Sequence, residues 1–71
     1  MNYMGRVEFM GVKIEAWVDV RSYQGEIEAE FATSFAYVDD EIVTLDEVDE
    51  TLQMLLIDDA HAQWAMEVDE S

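Results

Sequence analysis

The sequence predicts an α+β fold: a three- or four-stranded antiparallel sheet in a meander, followed by a C-terminal amphipathic acidic helix or by two helices in succession. Three observations carry this prediction. "RVEFMGVKIE" alternates apolar and polar residues on both sides of Met10-Gly11, the alternation persists to about residue 31, and from Leu45 onward apolar residues recur at helical spacing.

A two-residue loop at Met10-Gly11 closes the first hairpin, because Gly readily takes the positive φ that such a loop needs. Closed there, Phe9 falls opposite Val12 and Val7 opposite Ile14 on one face, while Glu8 meets Lys13 and Arg6 meets Glu15 on the other. Apolar and ionic pairs sort without a mismatch, and a slip of one residue would send every apolar side chain to the wrong face. Ala16, Val18 and Val20 continue the core face, with Trp17, Asp19 and Arg21 turned outward. "RSYQG" is a reversal that Arg21 and Glu26 can close. "EIEAEFATSFAYV" returns as a third strand, with a bulge or kink near Thr33 and Ser34 where the alternation lapses. "DDEIV" reads as a turn and a short fourth strand.

In "TLDEVDETLQMLL", Thr44 followed by Glu47 fits a capping box, and Leu45, Val48, Leu52, Leu55 and Leu56 supply the apolar stripe. Asp46, Glu47, Asp49 and Glu50 then occupy the first two turns, where the positive end of the helix dipole tolerates acids. "DDAHAQWAMEV" either continues this helix or restarts it at Asp58 or Asp59, with Ala60, Trp64 and Val68 on the buried side. The tail "VDES" is expected to fray.

Residues 1–71 form a single small domain, with no repeat and no linker. A chain of this size buries only about 60% of the surface its unfolded form exposes, so its stability margin is thin. No cysteine is present to supply a disulfide or a zinc thiolate, which points to a reducing compartment and a cytoplasmic location. Met1 to Met10 contains Arg6 and Glu8 and no long apolar run, so neither a signal peptide nor a membrane span is expected there.

Eighteen Asp and Glu against three Lys and Arg give a net charge of -15. All three bases (Arg6, Lys13, Arg21) lie in residues 1–21, where three acids balance them, and the other fifteen acids follow without a base. A hydrophobic content of 51% with eight aromatic residues argues for a folded chain despite this bias.

Catalysis finds little material. There is one His, one Lys, no Cys, and no glycine-rich phosphate loop, zinc-protease helix or nucleophile elbow, so no enzyme and no cofactor are expected. His61 beside Asp58 and Asp59 reads as a solvated helix residue rather than a catalyst or metal ligand. "VDDE" lacks the spacing of a calcium loop.

The row Glu26, Glu28, Glu30 is more informative, since alternate strand residues share a face. Their side chains are spaced about 6.6–6.8 Å apart, similar to the through-space spacing of phosphates on a nucleic-acid strand. With Asp39, Asp40, Glu41 and the helix acids Asp46, Glu47, Asp49 and Glu50, they are candidates for a docking surface that imitates a phosphate track. Met4 opposite Trp17 on the outer face, with Met10, Tyr3 and Tyr23 near edges or turns, supplies apolar anchors, or alternatively the seam of a homodimer. The bland reading of the row is a solvated sheet face.

In size, charge and arrangement, with "VEFMGVKIEAWVDV", "GEIEAEF" and "TLDEVDETLQMLL" as sheet and acidic helix, the chain resembles the small acidic inhibitors made by bacteriophages: DNA mimics, anti-restriction proteins and anti-CRISPRs. The resemblance is one of class and rests on no shared motif, and such inhibitors have many folds, so it carries no residue roles. It implies a non-enzymatic inhibitor that binds the basic groove of a host nucleic-acid-binding protein, such as a CRISPR effector, restriction enzyme, nuclease or transcription factor, in the host cytoplasm. Neither direct nucleic-acid binding nor membrane binding is expected. Reversing Glu26, Glu28 and Glu30 to Lys is expected to abolish inhibition. The alternative is an acidic structural or adaptor module whose charge reflects a high-salt environment or self-association.

Overall fold

In the computed structural model, which describes residues 1–70, β1 (Asn2–Phe9) and β2 (Val12–Tyr23) form the expected hairpin, with Phe9 against Val12, Val7 against Ile14, Glu8 against Lys13 and Arg6 against Glu15. β3 (Glu26–Phe31), β4 (Phe35–Val38) and β5 (Glu41–Thr44) complete a five-stranded antiparallel sheet, and a single helix, α1 (Glu50–Glu70), follows. The class is α+β. Three two-residue turns, Met10-Gly11, Gln24-Gly25 and Asp39-Asp40, have positive φ at both positions. That is the backbone of type I′ hairpin turns, whose twist matches the strands they join. Only two of the six positions are Gly, so Met10 and Gln24 are held where a side chain is disfavoured, and both are exposed.

The third strand of the sequence pattern is divided. β3 pairs with the far half of β2 (Val18 with Phe31, Tyr23 with Glu26), and β4 pairs with its near half (Ile14 with Val38), so both lie along the same side of β2. Residues 32–34 are inserted between them. Because the insertion is odd in length, the inward-facing residues change from odd (Ile27, Ala29, Phe31) to even (Ala36, Val38), which keeps apolar side chains on the core face through the jog. The reversal at Gln24-Gly25 pairs Tyr23 with Glu26, whereas Arg21 faces Glu28 and bonds to Asp19 and Glu30.

α1 covers the inner face. Ile14, Ala16, Ala36, Val48 and Leu56 form one buried cluster, and Val18, Val20 and Ala60 form a second, with Phe31 packed against both. The helix backbone comes so close to β1 at Gly5 that a methyl group there would overlap the Leu56 carbonyl. Beside this contact Ala16 and Ala36 are fully buried, so small residues make the seat into which Leu56 drops. Burial of a side chain of that size contributes roughly 1.5–3 kcal/mol. α1 runs antiparallel to β1 and covers its edge: Asp59 Oδ2 accepts the Arg6 N–H at 2.9 Å, and Gln63 Nε2 donates to the Met4 carbonyl at 2.9 Å. Exposed strand edges invite pairing with other chains, and these two side chains block this one.

The helix starts later than the capping box suggests. Thr44 makes no side-chain cap; residues Leu45–Glu47 form one 3-10 turn, and Val48 is extended at φ -90, ψ 132. The cap is Asp49, whose Oδ1 accepts the Thr51 N–H at 2.8 Å. Extended backbone at Val48 lets its side chain enter the core, at 8% exposure, beneath the sheet. Gln53 Nε2 donates to the carbonyls of Leu45 and Val48, satisfying the end of the short turn. Past Asp58 the helix continues without a break to Glu70, and the end of the "VDES" segment, Ser71, lies outside the described residues.

Candidate partner-binding surfaces

The structure brings some of the acidic candidates together and separates others. Glu26, Glu28 and Glu30 share one face of β3 and are exposed, on the outer side of the sheet, opposite to the helix. Across from them, Arg21 Nε donates to Asp19 Oδ2 at 2.8 Å and Arg21 Nη2 to Glu30 Oε1 at 3.1 Å. The Met1 amino group donates to Asp19 Oδ1 at 3.1 Å. The Arg21 hydrogen bond, then that of the amino terminus, hold the Asp19 carboxyl below its usual range. The same Asp19 contact raises Arg21. The row therefore has a base beside it, a pairing that the absence of Lys and Arg from residues 22–71 conceals.

Seven other acids lie on residues 39–50, which contain no base. Asp39 is tied to the start of β2, its N–H donating to the Lys13 carbonyl at 2.9 Å and its Oδ1 accepting the Lys13 N–H at 3.1 Å. Asp39, Asp40 and Glu41 therefore sit at the hairpin end of the molecule, with Met10 and Gly11. The chain then passes beneath the inner face, carrying Asp46 and Glu47 on the 3-10 turn, and returns to that end with Asp49 and Glu50. There Asp49, Thr51, Leu52 and Leu55 face Phe9 across an open, mainly apolar cleft of about 320 Å³. Phe9 is 52% exposed and Leu55 43%.

From Asp39, held at Lys13, to Glu26, opposite Tyr23, the path along β2 covers about 30 Å at the usual rise per residue. The long axis of the molecule is 35 Å. The row on β3 thus lies toward the other end from Asp39, Asp40 and Asp49 and on the face opposite to the 3-10 turn, so it does not form one track with the acids of 39–50.

The apolar candidates are also redistributed. Met4 pairs with Trp17 on the outer face as expected, and Phe35, Tyr37 and Ile42 join that face from β4 and β5. Phe35 and Tyr37 stack edge to face at 5.5 Å. Tyr3 instead points inward, donating to Glu67 Oε2 at 2.5 Å, and this hydrogen bond to a carboxylate raises its pKa. The cleft residues Phe9, Leu52 and Leu55 escape sequence reasoning, because each follows the core-facing period of its element. Only the placement of the helix N-terminus beside the first turn exposes them.

His61 packs against Trp64 at 5.9 Å between ring centroids. Among the described residues no group of three or more His, Cys, Asp or Glu is arranged to hold a metal ion, and no helix is long and apolar enough to cross a membrane. Comparison with protein-family models, curated proteins and solved structures finds no match, so function is argued from the geometry alone.

Proposed function

We propose that the protein acts without catalysis, as an inhibitor that occupies the basic nucleic-acid groove of a host protein. The observation that carries this reading is the hairpin end, where Asp49, which lines an apolar cleft, and the turn at Asp39-Asp40 both belong to a twelve-residue stretch that holds seven carboxylates and no base. Carboxylates in that density attract the Arg and Lys side chains that hold phosphates, and steer association at rates that fall with salt. Phe9, Leu52 and Leu55 supply the desolvated contact that lengthens the life of the complex. The β3 row lies on the other face and at the other end, so it is a control and not part of the docking surface in this reading.

The test uses the full chain immobilised at low salt in bacterial lysate, eluted by salt or by competing duplex DNA. A nucleic-acid-binding protein displaced by both is expected. The variant Glu41→Gln, Asp46→Asn, Glu47→Gln, Glu50→Gln should lose it, and Glu26→Gln, Glu28→Gln should retain it. These positions are exposed and make no cap or turn bond, so the fold should persist in both. Retention by the first variant, or partners indifferent to DNA, would defeat the proposal.

A further inference from the structure

All three bases of the chain project from one surface, the outer face of the sheet. Arg6 and Lys13 lie across from Glu15 and Glu8, and Arg21 lies across from Glu28. Six of the eighteen acids (Glu8, Glu15, Asp19, Glu26, Glu28, Glu30) share this face with the three bases and the Met1 amino group. The remaining twelve, on the turn, β5, the 3-10 turn and the helix, have no Lys or Arg near them in sequence. The outer face therefore carries a net charge of only -2 in a molecule whose other twelve acids have no Lys or Arg beside them in sequence. Its centre is apolar, with Met4 beside Trp17 and Phe35, Tyr37 and Ile42 on the neighbouring strands. α1 lies on the opposite face, and among the described residues no element covers this one.

We infer that this face is the interface with a second copy of the chain. Two copies at net charge -15 repel each other least across this face, because all the Lys and Arg of the chain lie on it beside its carboxylates. The size is adequate: in a body of 35 × 21 × 18 Å, one whole face of a five-stranded sheet is of the same order as the roughly 800 Å² per partner of a standard stable interface.

Such a pair is a sandwich of two sheets with a helix on each outer side, and Trp17, midway along β2 between Lys13 and Arg21, lies near the centre of the face.

The test is the mass of the full chain in solution across concentration and salt, read together with Trp17 fluorescence in a Trp64→Phe background. A doubled mass, strengthened by salt as repulsion is screened, with Trp17 emission shifting to the blue as concentration rises, is expected. Ile42→Glu, at a position 68% exposed and so tolerant of charge, should weaken the pair by more than about tenfold, as loss of an interface contact does. Trp17→Glu should abolish it. Met54→Glu, on the exposed side of the helix at 67% exposure, should leave it intact. A single-chain mass at every concentration and salt, a dimer that survives Ile42→Glu and Trp17→Glu, or a dimer lost in Met54→Glu would overturn the inference.

Discussion

Gly5 is the residue on which the packing of the two layers depends. The sequence marks it only as a glycine in a strand, a place where glycine ordinarily weakens the structure. In the fold it is the point of closest approach between strand and helix, where a Cβ would overlap the Leu56 carbonyl. Backbone cannot rotate away as a side chain can, so Gly5→Ala must lift the helix or bend β1. The expected cost is about 2–3 kcal/mol, at the upper end of overpacking penalties. Chemical denaturation checks it, with the slope against denaturant unchanged if the fold is kept. Legibility is uneven at this scale. The pairing of Arg6 with Glu15 and of Met4 with Trp17 was written in the alternation, because neighbours on a hairpin are near in sequence. The contact of Gly5 with Leu56 was not, because it depends on where a helix some fifty residues later comes to rest.

At the level of elements, the first hairpin was legible on two independent counts, apolar pattern and charge pairing, which agreed. The helix boundary was not, because Thr44 with Glu47 carries the letters of a capping box while the structure spends them on a single 3-10 turn. What decides is Val48, whose burial requires extended backbone and so postpones the helix to Asp49. Asp49 is therefore the helix start, and Asp49→Ala should lower stability by about 1 kcal/mol, the usual worth of a side-chain N-cap. Thr44→Ala, whose side chain caps nothing, should cost much less, and thermal melts of the two variants side by side check the assignment. The jog at residues 32–34 was legible in place but not in consequence. A lapse in alternation shows where a strand is disturbed, while the odd number of inserted residues, which flips the inward side, emerges only from the pairing with β2. The apolar cleft was illegible for a related reason: Phe9 and Leu55 have the spacing of core residues, and their exposure follows from the layers ending at the hairpin end.

For the whole molecule the decisive quantity is charge over distance. Eighteen acids occupy a body of 35 × 21 × 18 Å. At 0.01 M ionic strength the Debye length is about 30 Å, so carboxylates repel across nearly the entire molecule; at 1 M it is about 3 Å, and only immediate neighbours interact. Unfolding separates these charges, so low salt favours the unfolded chain and the thermal midpoint should rise with sodium chloride. A gain of 1–2 kcal/mol corresponds to roughly 5–15 °C in a domain of this size. Magnesium chloride at equal ionic strength should do no more than sodium chloride if the effect is screening, whereas a larger rise would reveal a specific cation site. The lower end of the series separates the two accounts of the acidity. A chain adapted to a high-salt environment needs salt to fold, while an inhibitor working in ordinary cytoplasm must fold without it. A cooperative melt at 0.01 M salt, measured at a concentration where the chain is monomeric, therefore supports an acidic docking surface. An unfolded chain there, recovered only by added salt, would mean that the carboxylates answer to the solvent and not to a partner.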